Sequence, residues 1–83
     1  MTFSIQFLTS LHILLTIISF PDIRVTNEMI SKDTNLSHEQ VRKLIRKLKS
    51  ANILTFQNGT GKATLAKKAN EITLWDIYYA VEN

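Results

Sequence analysis

Residues 35–65 read NLSHEQVRKLIRKLKSANILTFQNGTGKATL, and the two halves of this stretch carry different periodicities. In the first half Ser37 stands at a helix N-cap position, with Gln40 three residues on, the pairing of a capping box. Leu36 before the cap and Val41 four residues after it are spaced as a hydrophobic staple. Val41, Leu44, Ile45 and Leu48 recur at i, i+3, i+4 and i+7, which predicts a helix to about Ser50 that buries those four side chains. At about 100° per residue, the opposite face presents Glu39, Arg42, Lys43, Arg46 and Lys47. In the second half the period drops to two. Ile53-Leu54-Thr55-Phe56 and Lys62-Ala63-Thr64-Leu65 flank Asn58-Gly59-Thr60-Gly61, which predicts a two-stranded hairpin. Leu54, Phe56, Ala63 and Leu65 share its inner face, with Thr55, Gln57, Lys62 and Thr64 outside. The Gly-containing tip is not a phosphate loop, because no lysine–serine pair and no long helix follow it.

Upstream, Thr26 is an N-cap for a short helix over about Asn27–Asp33 that turns Met29 and Ile30 inward. Thr34-Asn35-Leu36 forms the tight turn into the next helix. Arg24-Val25 reads as a short strand. Residues 3–20, FSIQFLTSLHILLTIISF, hold eleven apolar residues in eighteen and no charge. No basic group precedes this run and no small-x-small site follows it, so it does not fit a secretory signal. Its polar residues Thr2, Gln6, Thr9, His12, Thr16 and Ser19 recur every three or four positions. That stripe favours an amphipathic core helix over a membrane span, with the polar stripe in solvent. His12 lies in the stripe, a solvent-edge histidine rather than a ligand. Phe20-Pro21-Asp22 ends the helix. Downstream, Thr73 caps a last helix to about Glu82, with Asp76 in its first turn and Leu74, Ile77, Tyr78 and Val81 as its core stripe.

The expected architecture is mainly α with a small β-hairpin, in one domain over residues 1–83: helix 3–20, helix-turn-helix 26–50, wing 53–66 and terminal helix 73–83. Eighty-three residues leave little room for a cleft between two lobes. The absence of cysteine excludes disulfides, thiolate metal sites and cysteine-held clusters in this chain. The net charge of +3 hides a sharper asymmetry. Residues 37–50 carry five basic and one acidic group, net +4, and residues 51–70 add three lysines, net +3. Residues 1–36 carry two basic and three acidic groups, net −1, and residues 71–83 carry three acidic groups, net −3.

A helix apolar on one side and cationic on the other, followed by a hairpin, fits the major groove of duplex DNA. Arg42, Lys43 and Arg46 would meet phosphates or guanines. Ser37, His38, Glu39 and Gln40, at the helix start, would lie near base edges. Lys47 completes the cationic face, and Lys62 would reach the backbone from the wing. Lys67 and Lys68 are weaker candidates. The rival from another class is a winged-helix interaction module whose basic face meets an acidic protein partner. Enzyme chemistry is disfavoured: no nucleophile–base pair, paired carboxylates or metal-spaced ligands stand out, and His12 and His38 fall on separate helices. No cofactor is expected. Leu11, Leu14, Leu15 and Ile18 span too wide an arc of the opening helix for one neighbour. Phe3, Phe7, Leu11, Leu14 and Trp75 are therefore expected to line a homodimer contact. Trp75, Tyr78 and Tyr79, on an acidic helix, suit core and interface packing better than base stacking.

Three segments carry a family resemblance: LTSLHILLTI in the opening helix, NLSHEQVRKLIRKLKSANIL, and above all EITLWDIYYAVEN at the end. With them the whole chain resembles the N-terminal domain of the Rrf-two family of bacterial winged helix-turn-helix transcription regulators. The resemblance implies a cytoplasmic regulator of the repressor kind, binding double-stranded DNA as a two-fold dimer built through the first helix and a long C-terminal helix. Within the family, Arg42-Lys43 match an Arg-Arg-type pair in the recognition helix. The chain departs from the pattern in three places. It lacks the cysteines that hold clusters in some members. Its wing has Gln57-Asn58 and Gly61-Lys62 where many members have an arginine before the first glycine and a glycine pair after it. It ends at Asn83, before the place of the long helix, which leaves open a truncated chain or a naturally short relative.

Overall fold

The computed structural model describes residues 3–21 and 23–82. The expectations placed on Thr2, Asp22 and Asn83 lie outside the described residues. Four α-helices and one hairpin follow in the order α1 (Ile5–Ser19), α2 (Asn27–Thr34), α3 (His38–Ser50), β1 (Leu54–Phe56), β2 (Ala63–Leu65) and α4 (Leu74–Glu82), with a short 3-10 turn at Ala69–Glu71 before α4. The 3-10 turn has no counterpart in the hydrophobic pattern.

Local chemistry sets the boundaries. Ser4 caps α1, its Oγ accepting from the Phe7 N–H, and Thr26 caps α2 by accepting from the Met29 N–H. α2 runs to Thr34, and Asn35 closes it in the left-handed region at φ 61°, a conformation asparagine tolerates. At the end of α3 the Asn52 N–H donates to Lys49 O and the Ile53 N–H to Leu48 O, with Asn52 at φ 60°. This is a Schellman motif with asparagine in place of the usual glycine. Its companion apolar contact is formed by Leu48 and Ile53, both in the core. Gly61 (φ +68°) and Gly59 (φ +89°) make the turn between the antiparallel strands, whose register pairs Leu54 with Leu65, Thr55 with Thr64 and Phe56 with Ala63.

One core joins Phe7, Ile13, Leu14 and Ile17 of α1 with Ile30, with Val41, Leu44 and Leu48 of α3, with Ile53, Leu54 and Ala63 at the hairpin, and with Ile77 and Val81 of α4. Leu36, Val25, Ile45, Phe56 and Leu65 pack around it. α1 lies against α3, α4 and β2, so the hairpin and the terminal helix share one support with α3. The Ser4 hydroxyl donates to the Glu82 carboxylate, which ties the start of α1 to the end of α4.

Four expectations are corrected. In the polar stripe of α1 Thr9 is buried, whereas Gln6 and Ser19 are exposed and His12 and Thr16 half-buried; Ser10, outside the stripe, is buried too, and Ile5, Leu8, Leu15 and Ile18 are exposed. Ser10 Oγ donates to Gln6 O at 2.8 Å and Thr16 Oγ1 to His12 O at 2.7 Å. Hydroxyls bonded within their own helix need no water, so small polar residues can face the core. Met29 and Leu74 are exposed rather than inward; each belongs to a short helix whose buried side is only one or two residues wide. Arg24-Val25 forms no strand, because the hairpin ladder consists of β1 and β2 alone among the described residues. Among the described residues no helix is long and apolar enough to cross a membrane.

Candidate nucleic-acid interface

α3 carries the cationic face. Its start is rigid: the Gln40 N–H donates to Ser37 Oγ at 3.1 Å and the Ser37 N–H to Gln40 Oε1 at 2.9 Å. The capping box thus uses one acceptor of each side chain and leaves the Ser37 hydroxyl hydrogen and the Gln40 amide hydrogens for another partner. His38 and Glu39 are exposed in the first turn. Glu39 faces two guanidiniums, Arg42 Nη1 at 3.4 Å and Arg46 Nη2 at 3.7 Å. Both pairs are solvent-exposed and contribute about 0–1 kcal/mol each. Their consequence is positional: one carboxylate holds two arginines of successive turns side by side. Lys43 is exposed beside them.

Lys47 differs from this group. It is half-buried, and its Nζ donates to Val81 O at 3.1 Å, on the last turn of α4. A cation suits that position, because unpaired carbonyls and the negative end of the helix dipole meet there. Lys49, absent from the expected set, holds its Nζ 5.6 Å from the centre of the Phe56 ring. Across from α3, the wing tip is braced by its own side chains. Thr60 Oγ1 donates to Gln57 Oε1 and accepts from the Lys62 N–H. Lys62 is half-buried at the wing's second strand. Between α3 and the hairpin runs a groove of about 260 Å³ with Asn27, Arg42, Arg46 and Lys49 on its walls and Ile45, Leu54 and Phe56 beneath. On the other flank of α3 an open cleft of about 690 Å³ is lined by Glu39, Lys43, Arg46, Lys47 and Ser50. The structure therefore brings Arg42, Lys43 and Arg46 together and draws Lys47 aside. Asn27 and Lys49 join the groove from positions that the helix–hairpin pattern did not mark. Lys49 had a signal, one position beyond the buried Leu48; Asn27 had none.

Lys67 and Lys68 are exposed ahead of α4. The Thr73 N–H donates to Asp76 Oδ2 and the Asp76 N–H to Thr73 Oγ1, a second reciprocal cap. Thr73's backbone and hydroxyl, then the charge of Lys67, hold the Asp76 carboxyl below its ordinary value.

Two of the expected dimer-contact residues are corrected. Phe7 and Leu14 are only 2% and 4% exposed, used up in the chain's own core. Leu11 is half-buried. Phe3 is exposed and stacks on Phe7 with ring centres 4.8 Å apart, and Trp75 is exposed and stacks on Tyr78 at 5.6 Å. Leu15 and Ile18, named in the wide arc of the opening helix, are exposed, as are Leu8 and Leu74, which the expected contact set did not include.

A capped basic helix after a three-residue turn, backed by a core helix and followed by a hairpin, is a winged helix-turn-helix. The chain belongs to the Rrf2 family, whose model, described as iron-dependent transcriptional regulator, matches residues 3–83. A protein of Bacillus subtilis (strain 168) named as an HTH-type transcriptional regulator, YwnA, is 37% identical over 73 residues, covering 88% of this chain and 53% of that protein. A crystal structure described as a DNA-binding protein superposes with a TM-score of 0.78 at 33% identity, covering 94% of this chain and 66% of that one. CymR (YrzC), the global cysteine regulator of B. subtilis, superposes with a TM-score of 0.80 at 20% identity, covering 99% of this chain and 65% of that one, a likeness of fold. The chain thus spans about half the length of its named relative. Family and relative are named as transcription regulators, not as enzymes.

The family description raises iron, and the donor set of this chain does not fit it. There is no cysteine. Among the described residues no three His, Asp or Glu side chains gather. His12 Nε2 lies 3.3 Å from Asp33 Oδ2, a pair linking α1 to α2, and His38 stands at the start of α3.

Proposed function

We propose that this domain binds double-stranded DNA with sequence preference, as the DNA-reading part of a bacterial cytoplasmic transcription repressor that works as a homodimer. The observation that carries the proposal is the exposed row Arg42, Lys43 and Arg46 on a capped helix, beside a groove whose walls are cationic and amide. α3 enters the major groove. Ser37, His38, Glu39 and Gln40 lie toward base edges, and Arg42, Lys43 and Arg46 meet phosphates or guanines. Lys62 supports the backbone from the wing. Lys47 holds α4 and contributes charge rather than contact. Repression follows by occupancy: a regulator seated on the duplex excludes polymerase without chemistry of its own.

The homodimer rests on the exposed apolar surface of α1 and α4, with Phe3, Leu8, Leu15, Ile18 and Trp75 in water in the lone chain. Two-fold symmetry would present two recognition helices about one DNA turn apart. Sedimentation from micromolar to millimolar concentration tests it, with self-association expected and a monomer throughout as the contrary result. Selection of bound sequences from a random duplex pool tests DNA reading. Enrichment of a palindromic motif is expected. No enrichment, together with binding to an acidic protein surface, would favour the interaction-module alternative.

A further inference from the structure

The segment between α1 and α2 places a further cation beside the wing. Arg24 lies in that segment, exposed, and its guanidinium rests against the wing turn. A β-carbon at Gly61 would sit 3.3 Å from Arg24 Nη2 and 3.8 Å from its Cζ. A β-carbon there would be a close contact that the guanidinium could relieve by a shift of a few tenths of an ångström. The backbone of Arg24 is held from the following residues: Val25 packs on the core and Thr26 caps α2. Val25 and Asn27 line the groove whose other wall carries Arg42, Arg46 and Lys49, and no carboxylate is among the groove's lining residues. The wing turn itself is uncharged at Gln57, Asn58 and Thr60, and its neighbouring cation, Lys62, is half-buried. Among the described residues no carboxylate pairs with Arg24.

We infer that Arg24 is a DNA-contact residue that grips a backbone phosphate alongside the wing, completing a row of cations around the groove with Arg42, Arg46 and Lys49. The inference rests on the duplex-binding proposal above. A guanidinium stays charged and offers planar paired N–H donors that match a phosphate. Such a contact is blind to base sequence but sensitive to salt.

The test titrates fluorescent duplex with wild type, Arg24→Ala, Arg24→Lys and Arg46→Glu between about 50 and 200 mM salt, with circular dichroism confirming each fold. One phosphate contact changes the log–log salt slope by about 0.9. A dimer carries the contact twice, so the affinity ratio of wild type to Arg24→Ala should shrink about 3.5-fold per bound protomer and about 12-fold for the dimer across that range, while Arg24→Lys keeps most of the wild-type slope. Arg24→Ala binding as wild type does, while Arg46→Glu fails, overturns the inference and leaves the duplex-binding proposal standing. A deficit in Arg24→Ala that does not change with salt, or an Arg24→Lys protein as weak as Arg24→Ala, also overturns it. Wild type that binds no duplex at all overturns both.

Discussion

The Lys47 ammonium donates to the Val81 carbonyl oxygen at 3.1 Å, so a cation of the basic helix closes the last turn of the terminal helix. This contact divides the cationic residues of α3 into two groups. Arg42, Lys43, Arg46 and Lys49 are exposed, whereas Lys47 is anchored within the domain.

Lys47→Met keeps the side-chain stem and removes the donor. It should cost about 1 kcal/mol of stability, the order of one hydrogen bond to a charged group discounted for partial exposure. Duplex affinity should fall far less than in Arg46→Glu. Urea denaturation and a duplex titration on the same protein check both statements. An unchanged unfolding midpoint with affinity lost as in Arg46→Glu would place Lys47 on the DNA instead.

Ser37→Ala removes the acceptor that satisfies the Gln40 N–H and frees the first turn of α3. The expected loss is about 1 kcal/mol, read as a lower denaturation midpoint at unchanged slope.

The fold was legible wherever the signal lay among neighbouring residues. The cap Ser37–Gln40, the stripe Val41–Leu44–Leu48 and the hairpin of Leu54–Phe56 with Ala63–Leu65 depend on spacings within one or two elements. In α1 the burial of Thr9 was not legible, because a threonine looks like a surface residue in a pattern of polarity, and Ser10 beside it is buried as well. Ser10 returns its hydroxyl to Gln6 O, and the core then accepts it. The basic face was legible as a face. The separation of Lys47 from it was not, because Val81 belongs to another helix, and Arg24 meets Gly61 only through the tertiary fold. The wide apolar arc of the opening helix, together with the family resemblance, supplied the dimer expectation, but Phe7 and Leu14, two of its named residues, are used by the core.

Asp76 gives the domain an acid-sensitive joint. Its folded-state pKa lies below the ordinary 3.8, chiefly through the Thr73 N–H, so the ionised form is favoured in the folded chain. The stability it contributes is present above 3.8 and is lost as pH falls through the lowered folded value. The gap in melting temperature between wild type and Asp76→Ala should be widest near neutral pH and should narrow below the ordinary carboxylate range. A gap independent of pH down to strong acid contradicts this.

Anaerobic reconstitution with iron and sulfide should yield a protein without stoichiometric iron or sulfide and without cluster absorbance, because no cysteine is present and no three-donor group gathers among the described residues. Stoichiometric iron and sulfide on these 83 residues would contradict it.

Arg46 is exposed on α3 opposite the stripe Val41–Leu44–Leu48 and 3.7 Å from Glu39, at the centre of the cationic face. The decisive measurement is the affinity of wild type and Arg46→Glu for a selected duplex between about 50 and 200 mM salt. With about 6–10 phosphates contacted by a dimer, wild-type affinity should fall about 10³- to 10⁵-fold over that range. Arg46→Glu, folded as judged by circular dichroism, should lose most binding even at the lower salt. Wild-type affinity in the folded Arg46→Glu protein would contradict the assignment of this face to DNA.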